Sequence, residues 1–125
     1  MASVWLVLPA YNEEAGLAPL LAGFQAEMAK AGLDGRVVIV DDGSTDGTLG
    51  VIEEWSAKLP IELVHHKVNA GLGMTIRDGL RRAAELAAPT DVIVSMDADN
   101  THSPSLIPAM IRETERGYDL VIASR

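Results

Sequence analysis

Short aliphatic, β-branched runs alternate along this chain with longer stretches whose apolar positions recur every three or four residues. That alternation predicts a mainly parallel sheet with helices on both faces, a Rossmann-like α/β architecture. Val4 to Leu8 reads as the first strand, closed by Pro9. A helix follows from about Leu17 to Ala31, with Pro19 in its first turn and Gly32 as its stop. Its inward face is Leu17, Leu20, Leu21, Phe24 and Met28. Arg36 to Val40 is an uninterrupted apolar run after its first residue, the pattern of a strand buried on both faces. Asp41 to Thr48 turns into a helix ending near Lys58, and Ile61 to His65 is a third strand. The stretch from Gly71 to Ala87 is helical, with Leu72, Ile76, Leu80, Ala83 and Ala87 expected inward. A strand over Asp91 to Met96, a helix over Ser105 to Glu115 and a strand over Tyr118 to Ala123 complete the pattern.

No repeat, low-complexity tract or linker interrupts the chain, so residues 1–125 read as one unit. The pattern closes on a strand with nothing after it to cover that edge. The expectation is a natural protein that continues past Arg125, and an exposed edge that favours either self-association, as in a homodimer, or a disordered tail.

In an open parallel sheet, ligands bind beyond the carboxyl ends of the strands. The first strand is followed there by Pro9, Ala10, Tyr11, Asn12 and Glu13, and the second by Asp41, Asp42, Gly43, Ser44, Thr45, Asp46, Gly47 and Thr48. After the third come His65 to Gly73, and after the fourth Asp97, Ala98, Asp99 and Asn100. One edge thus collects Glu13, Asp41, Asp42, Asp97 and Asp99. Crowded carboxylates repel, and a divalent cation or a ligand's donors would relieve that cost. Ser44, Thr45 and Asp46 fit the plainer role of turn formers and helix caps. Asp97 and Asp99, two apart at a strand end, point to a shared site. His65 and His66 read as ordinary strand-end residues.

Composition sharpens the picture. The formal net charge is −8 with no basic run, which argues against nucleic acid as a partner. It would also repel a phosphorylated ligand unless a cation or helix N-termini intervened. Hydrophobic residues are 48% of the chain and aromatics 4%, so the core is aliphatic. The absence of cysteine excludes disulfides and thiolate metal sites and fits a reducing compartment. The apolar runs are strand-length, short of the roughly 20 residues a membrane span needs, and no signal-peptide pattern opens the chain. A cytoplasmic location, at most at the cytoplasmic face of a membrane, is the expectation.

VLPAYNEE (7–14), VVIVDDGSTDGT (37–48), NAGLG (69–73) and MDADN (96–100) together resemble glycosyltransferase family 2, of the GT-A fold. DADNTHSP (97–104) and DLVIASR (119–125) resemble its dolichol-phosphate mannosyltransferase-like branch. The resemblance implies a metal-assisted hexosyl transfer. The donor would be a nucleotide-diphosphate sugar of GDP-mannose or UDP-glucose type, and the acceptor a polyprenyl phosphate or a sugar. It implies that Pro9, Tyr11 and Glu13 line the nucleoside pocket, with Ala10 and Asn12 beside them and Asp41 adjoining, and that Asp42 hydrogen-bonds the base. Asp97, with Ala98 next to it, would approach the ribose or the metal, and Asp99 would hold Mg²⁺ or Mn²⁺. Arg125 matches an arginine that faces the acceptor's phosphate, so Asp97, Asp99 and Arg125 are the catalytic candidates. Thr101 stands where the branch can supply a further metal ligand, and it is a poor one. Family members are longer, so the chain corresponds to a donor-binding half, and turnover by this half alone is not implied.

Gly71 and Gly73 lack the third glycine of a dinucleotide loop, Ile76 standing in its place. They more simply allow a ligand close to the backbone at a helix N-terminus, where Arg77 either reaches phosphate or lies in solvent. His102, just past Asp99, would need a favourable loop turn to bind a metal. A receiver-type signalling domain is the competing class, since VVIVDD and DVIVSMD imitate its acidic strand ends. A complete strand and helix precede Asp41, however, and no lysine follows the last strand.

Overall fold

The computed structural model describes residues 3–96 and 120–122. Five strands form one sheet: β1 (Ser3–Ala10), β2 (Asp34–Asp42), β3 (Ile61–His66), β4 (Val92–Ser95) and β5 (Leu120–Ile122). Their spatial order is β3-β2-β1-β4-β5 and every pairing is parallel. Three helices are described, α1 (Glu14–Ala31), α2 (Thr48–Ser56) and α3 (Leu72–Leu86). The Rossmann-like arrangement expected of the sequence is therefore the arrangement observed. The expected helix over Ser105 to Glu115 lies outside the described residues. None of the helices among the described residues is long and apolar enough to cross a membrane.

Alternation along the strands divides the core in two. Leu6 and Leu8 of β1 and Val37 and Ile39 of β2 pack with Leu17, Leu20, Leu21, Phe24 and Met28 of α1 and Ile52 and Trp55 of α2. Trp5, Val7 and Val38 face the other way, against Ala83 of α3. Val37 to Val40 are wholly buried, as a central strand requires. The inward face expected of α1 is correct, but the helix begins three residues earlier than predicted, at Glu14. Pro19 consequently sits inside the helix and not in its first turn. Lacking an N–H, it leaves the carbonyl four residues back without its helical partner.

The face of α3 needs correction. Its buried residues are Thr75, Gly79 and Ala83, with Leu80 and Ala87 partly covered, whereas Leu72 is 60% exposed. Hydrophobicity misled because α3 docks through its smallest residues. A Cβ on Gly79 would lie 2.6 Å from Val7 Cγ1 and 3.0 Å from Val40 Cγ2. Glycine there lets the helix backbone lie on the two central strands.

The order of strands places the functional end. The chain runs outward from β1 to β2 and β3, then returns to the other side of β1 with β4. That reversal opens a crevice at the carboxyl ends of β1 and β4, where ligands bind in sheets of this kind.

Candidate functional site

The loops after β1 and β2 are joined by hydrogen bonds. Asn12 adopts a left-handed conformation (φ 51°), which asparagine tolerates better than most residues. Its N–H donates to Ser44 Oγ at 2.9 Å, and its side-chain oxygen accepts the Thr45 N–H at 2.8 Å. Glu13 N–H donates to Thr48 Oγ1 at 2.9 Å. Asp46 takes the Thr48 N–H at the start of α2 (2.9 Å), the Thr48 hydroxyl, and more distantly the Glu14 N–H at the start of α1 (3.4 Å). Of the three residues expected to form turns and caps, Asp46 binds amides at the start of both helices, and Ser44 and Thr45 bond Asn12 across the two loops. The N-cap positions Glu13 and Gly47 make no side-chain capping bond. These bonds fix the segment carrying Pro9, Ala10, Tyr11, Asn12 and Glu13 against the segment after Asp42. Tyr11 is left 47% exposed at the crevice end, while Ala10 is buried and Pro9 partly so.

Asp41 and Asp42 do not share one site. Adjacent residues of a strand face opposite sides of the sheet. Asp41 pairs across β3 with His65, and Asp42 with His66. Asp41 is fully buried on the face of α1 and α2, and among the described residues neither of its side-chain oxygens accepts a hydrogen bond. His65 Nε2 approaches to 3.6 Å, an ion-pair distance too long for a good hydrogen bond. An orphaned buried carboxylate is costly, which makes this end of the sheet receptive to a donor or a cation.

Asp42, on the face of α3, is by contrast densely bonded. Its Oδ1 accepts the Ala70 N–H at 2.7 Å and its Oδ2 the Gly71 N–H at 3.0 Å. His66 Nδ1 lies 2.9 Å from Oδ1, and His66 Nε2 lies 2.7 Å from Asp78 Oδ2 on α3. Burial alone would raise the Asp42 pKa, but the Ala70 amide, His66 and the Gly71 amide outweigh it and hold the carboxyl below its ordinary value. The bond to Asp42 raises the His66 pKa, against burial and with help from Asp78. Asn69 Nδ2 donates to the Asp42 carbonyl at 3.3 Å. Gly43 (φ 76°) lets that strand end pass close to the Asn69 backbone. The third loop is thereby tied to the other two.

His66 therefore corrects the expectation of an ordinary strand-end residue. The signal was present in the sequence: Asp42 and His66 end neighbouring strands, and Asp78 lies two turns into the next helix. Only the strand order makes them neighbours. Gly71 opens α3 at φ 93°, a conformation that favours glycine, and Gly73 lies exposed in its first turn. Arg77 is exposed on α3 and reaches Met74 Sδ at 3.9 Å.

Asp97, Ala98, Asp99 and Arg125 lie outside the described residues, as do Thr101 and His102. The Met96 N–H donates to the Val7 carbonyl at 3.2 Å, so pairing with β1 extends to the residue preceding Asp97. Among the described residues, no three His, Cys, Asp or Glu side chains form a metal-binding group. A groove of about 220 Å³ lined by Trp5, Arg36, Pro60, Glu62 and Leu86 lies at the amino ends of the strands, away from the crevice.

Known proteins match both this sequence and this fold. Residues 5–125 match Glycosyl transferase family 2. The chain belongs to that family. It is 34% identical over 122 residues to a dolichol-phosphate mannosyltransferase of Pyrococcus furiosus, covering 98% of this chain and 33% of that protein. It is 37% identical over 123 residues to an undecaprenyl-phosphate mannosyltransferase of Micrococcus luteus, covering 98% and 48%. The chain thus spans a third to a half of these curated relatives. Among solved structures, it is similar to S. aureus TarS 1-349 in complex with UDP (TM-score 0.69, 26% identity, 90% of this chain and 32% of that one). It is also similar to the mannosyltransferase PcManGT of Pyrobaculum calidifontis in complex with GDP-Man and Mn²⁺ (TM-score 0.61, 27% identity, 77% and 27%). The GT-A assignment made from the motifs agrees with these neighbours.

Proposed function

We propose that this chain forms the nucleotide-sugar-binding part of a glycosyltransferase that moves a hexosyl group to a polyprenyl phosphate. The observation that carries the reading is the meeting of the loops after β1, β2 and β3 at the carboxyl end of the sheet, beside the β1–β4 crevice. A nucleoside would lie against Pro9, Ala10, Tyr11, Asn12 and Glu13. Asp42, at the end of β2 beside them, would hydrogen-bond the base. Relatives named for dolichol or undecaprenyl phosphate support the acceptor class. Solved neighbours holding UDP or GDP-Man support the donor class, with the base left open.

A divalent cation, Mg²⁺ or Mn²⁺, belongs to this reading, with Asp97 and Asp99 as its protein ligands. Carboxylate oxygens suit such hard cations, and among the described residues the buried Asp41 oxygens at this end of the sheet accept no hydrogen bond. When bound, the ion would offset the charge that develops on the departing diphosphate. At an effective dielectric near 20, one opposite-charge contact at about 4 Å is worth roughly 4 kcal/mol, enough to overcome the acidic surroundings. Arg125 would face the acceptor's phosphate. A cytoplasmic site of action and association of two copies complete the proposal.

Isothermal titration of UDP, GDP and their glucose and mannose derivatives, each with Mn²⁺ and with chelator, tests it. Binding that requires the metal in the parent chain and loses that requirement in Asp99→Asn is expected. Equal affinity with metal and with chelator would refute the metal assignment, and no binding of any nucleotide would refute the donor site.

A further inference from the structure

Two carboxylates close on one imidazole at the edge of this site. His66 Nδ1 is 2.9 Å from Asp42 Oδ1 and Nε2 is 2.7 Å from Asp78 Oδ2. Each contact requires a proton between nitrogen and oxygen. A neutral imidazole has one N–H and one bare lone pair, and only imidazolium donates from both nitrogens. The three side chains come from β2, β3 and α3, and His66 is largely covered, 16% exposed. The same Asp42 carboxylate holds the amides of Ala70 and Gly71, which lead directly into α3.

We propose that His66 is a positioning residue: as imidazolium it ties Asp42 to Asp78 and so fixes the Asn69–Gly71 turn and the first turns of α3 against the end of β2. The consequence for ligand binding rests on the nucleotide-sugar reading above. With both carboxylates held, Asp42 keeps one orientation toward the base, and Gly71 keeps its backbone against the end of β2. When His66 loses its proton, one carboxylate faces a lone pair and swings away, and the turn loosens with it.

The charged groups that face His66 among the described residues are Asp42 on β2 and Asp78 on α3. Arg82, one turn beyond Asp78, is paired with Glu62 at 2.8 Å and Glu85 at 3.0 Å. His65 meets Asp41 on the opposite face of the sheet. The upward shift of the His66 pKa agrees with the geometry. A raised folded value means the latch is complete below the ordinary histidine pKa of about 6.5 and opens as pH rises through the folded one.

The test follows the His66 ring nitrogens by ¹⁵N NMR in the intact 125-residue chain across about pH 5.5 to 9. Amide exchange at Ala70 and Gly71 is followed in parallel, after correction for the intrinsic pH dependence. UDP and GDP with Mn²⁺ are titrated at each pH, and His66→Gln and Asp78→Asn are compared. The expected result is a His66 pKa above the ordinary value, with protection of both amides falling through that pKa. Nucleotide affinity should drop about tenfold or more over the same interval, the scale of one charge-assisted bond. Both variants should show low, pH-independent protection. Parent-chain protection that ignores the His66 titration overturns the proposal, and that arm needs no variant to fold. Protection that follows His66 while neither nucleotide binds at any pH supports the latch and overturns the nucleotide-sugar reading. Nucleotide affinity that stays constant while protection falls overturns the positioning role.

Discussion

Replacing Gly79 by alanine sets two effects of known sign against each other. In a helix interior, alanine is favoured over glycine by about 1 kcal/mol, so local propensity predicts stabilisation. The structure predicts the reverse. The added Cβ would lie 2.6 Å from Val7 Cγ1 and 3.0 Å from Val40 Cγ2, whereas carbon atoms in contact normally sit about 3.5–4.0 Å apart. Relief requires α3 to lift from the sheet by about 1 Å. Turning the valines offers little, because their χ1 is stiff and both are wholly buried on the two central strands. Overpacking of this kind costs about 1–3 kcal/mol, leaving a net destabilisation of about 1–2 kcal/mol in the upper part of that range. For a chain of this size, that lowers Tm by roughly 3–10 °C. Thermal unfolding by circular dichroism reads it directly. Val7→Ala in the same chain should recover part of the loss, with a coupling of about 1 kcal/mol in the double-mutant cycle. Because α3 carries the turn held by Asp42, the single variant should also weaken nucleoside diphosphate binding. A Tm raised by Gly79→Ala would refute the argument, since it would mean the contact is not tight.

Asp42→Ala should lower stability by about 2 kcal/mol as well as weaken nucleotide binding, because it leaves His66 Nδ1 and two amides without their partner; the loss is moderated by water at the exposed Ala70. Chemical denaturation should show the shift in midpoint, and an unchanged midpoint would mean those bonds carry nothing. Asp91 accepts N–H groups from Ser3, Trp5 Nε1 and Ala88 at 2.8, 3.0 and 2.8 Å, and they hold its pKa down although burial alone would raise it. Its contribution is therefore present above the ordinary carboxylate value of 3.8 and lost as pH falls through the lower folded one. Asp91→Ala should cost about 2–4 kcal/mol at neutral pH and flatten the acid-unfolding curve measured by fluorescence of Trp5 and Trp55. Gly43→Ala places a Cβ 2.9 Å from the Asn69 nitrogen at φ 76°, and should cost more than about 1 kcal/mol while speeding amide exchange at Ala70. Exchange as slow as in the parent would count against close packing of those two loops.

Much of this protein is legible in one dimension. Val37 to Val40, apolar without a break, had to be a central strand, because no half-exposed strand tolerates that pattern. Leu17, Leu20, Leu21, Phe24 and Met28 fixed the face of α1 through helical periodicity alone. The loops that carry the family motifs were likewise marked by where polar residues cluster after each strand. Periodicity fails where size matters more than hydrophobicity. Leu72 looked like a core residue and is exposed, while Thr75, Gly79 and Ala83 are covered because a helix lies closest to a sheet through small side chains. Nor can adjacency in sequence tell which groups meet. Asp41 and Asp42 are neighbours in the chain, yet the pleat sends one to the α1 face, where among the described residues it accepts no hydrogen bond, and the other to α3. His66 meets Asp42 and Asp78 across separations of 24 and 12 residues. The sequence could mark local elements and candidate loops, because period and turn chemistry are local. Which carboxylate is bonded and which is left open depended on strand order and register, properties that exist only once the sheet has formed.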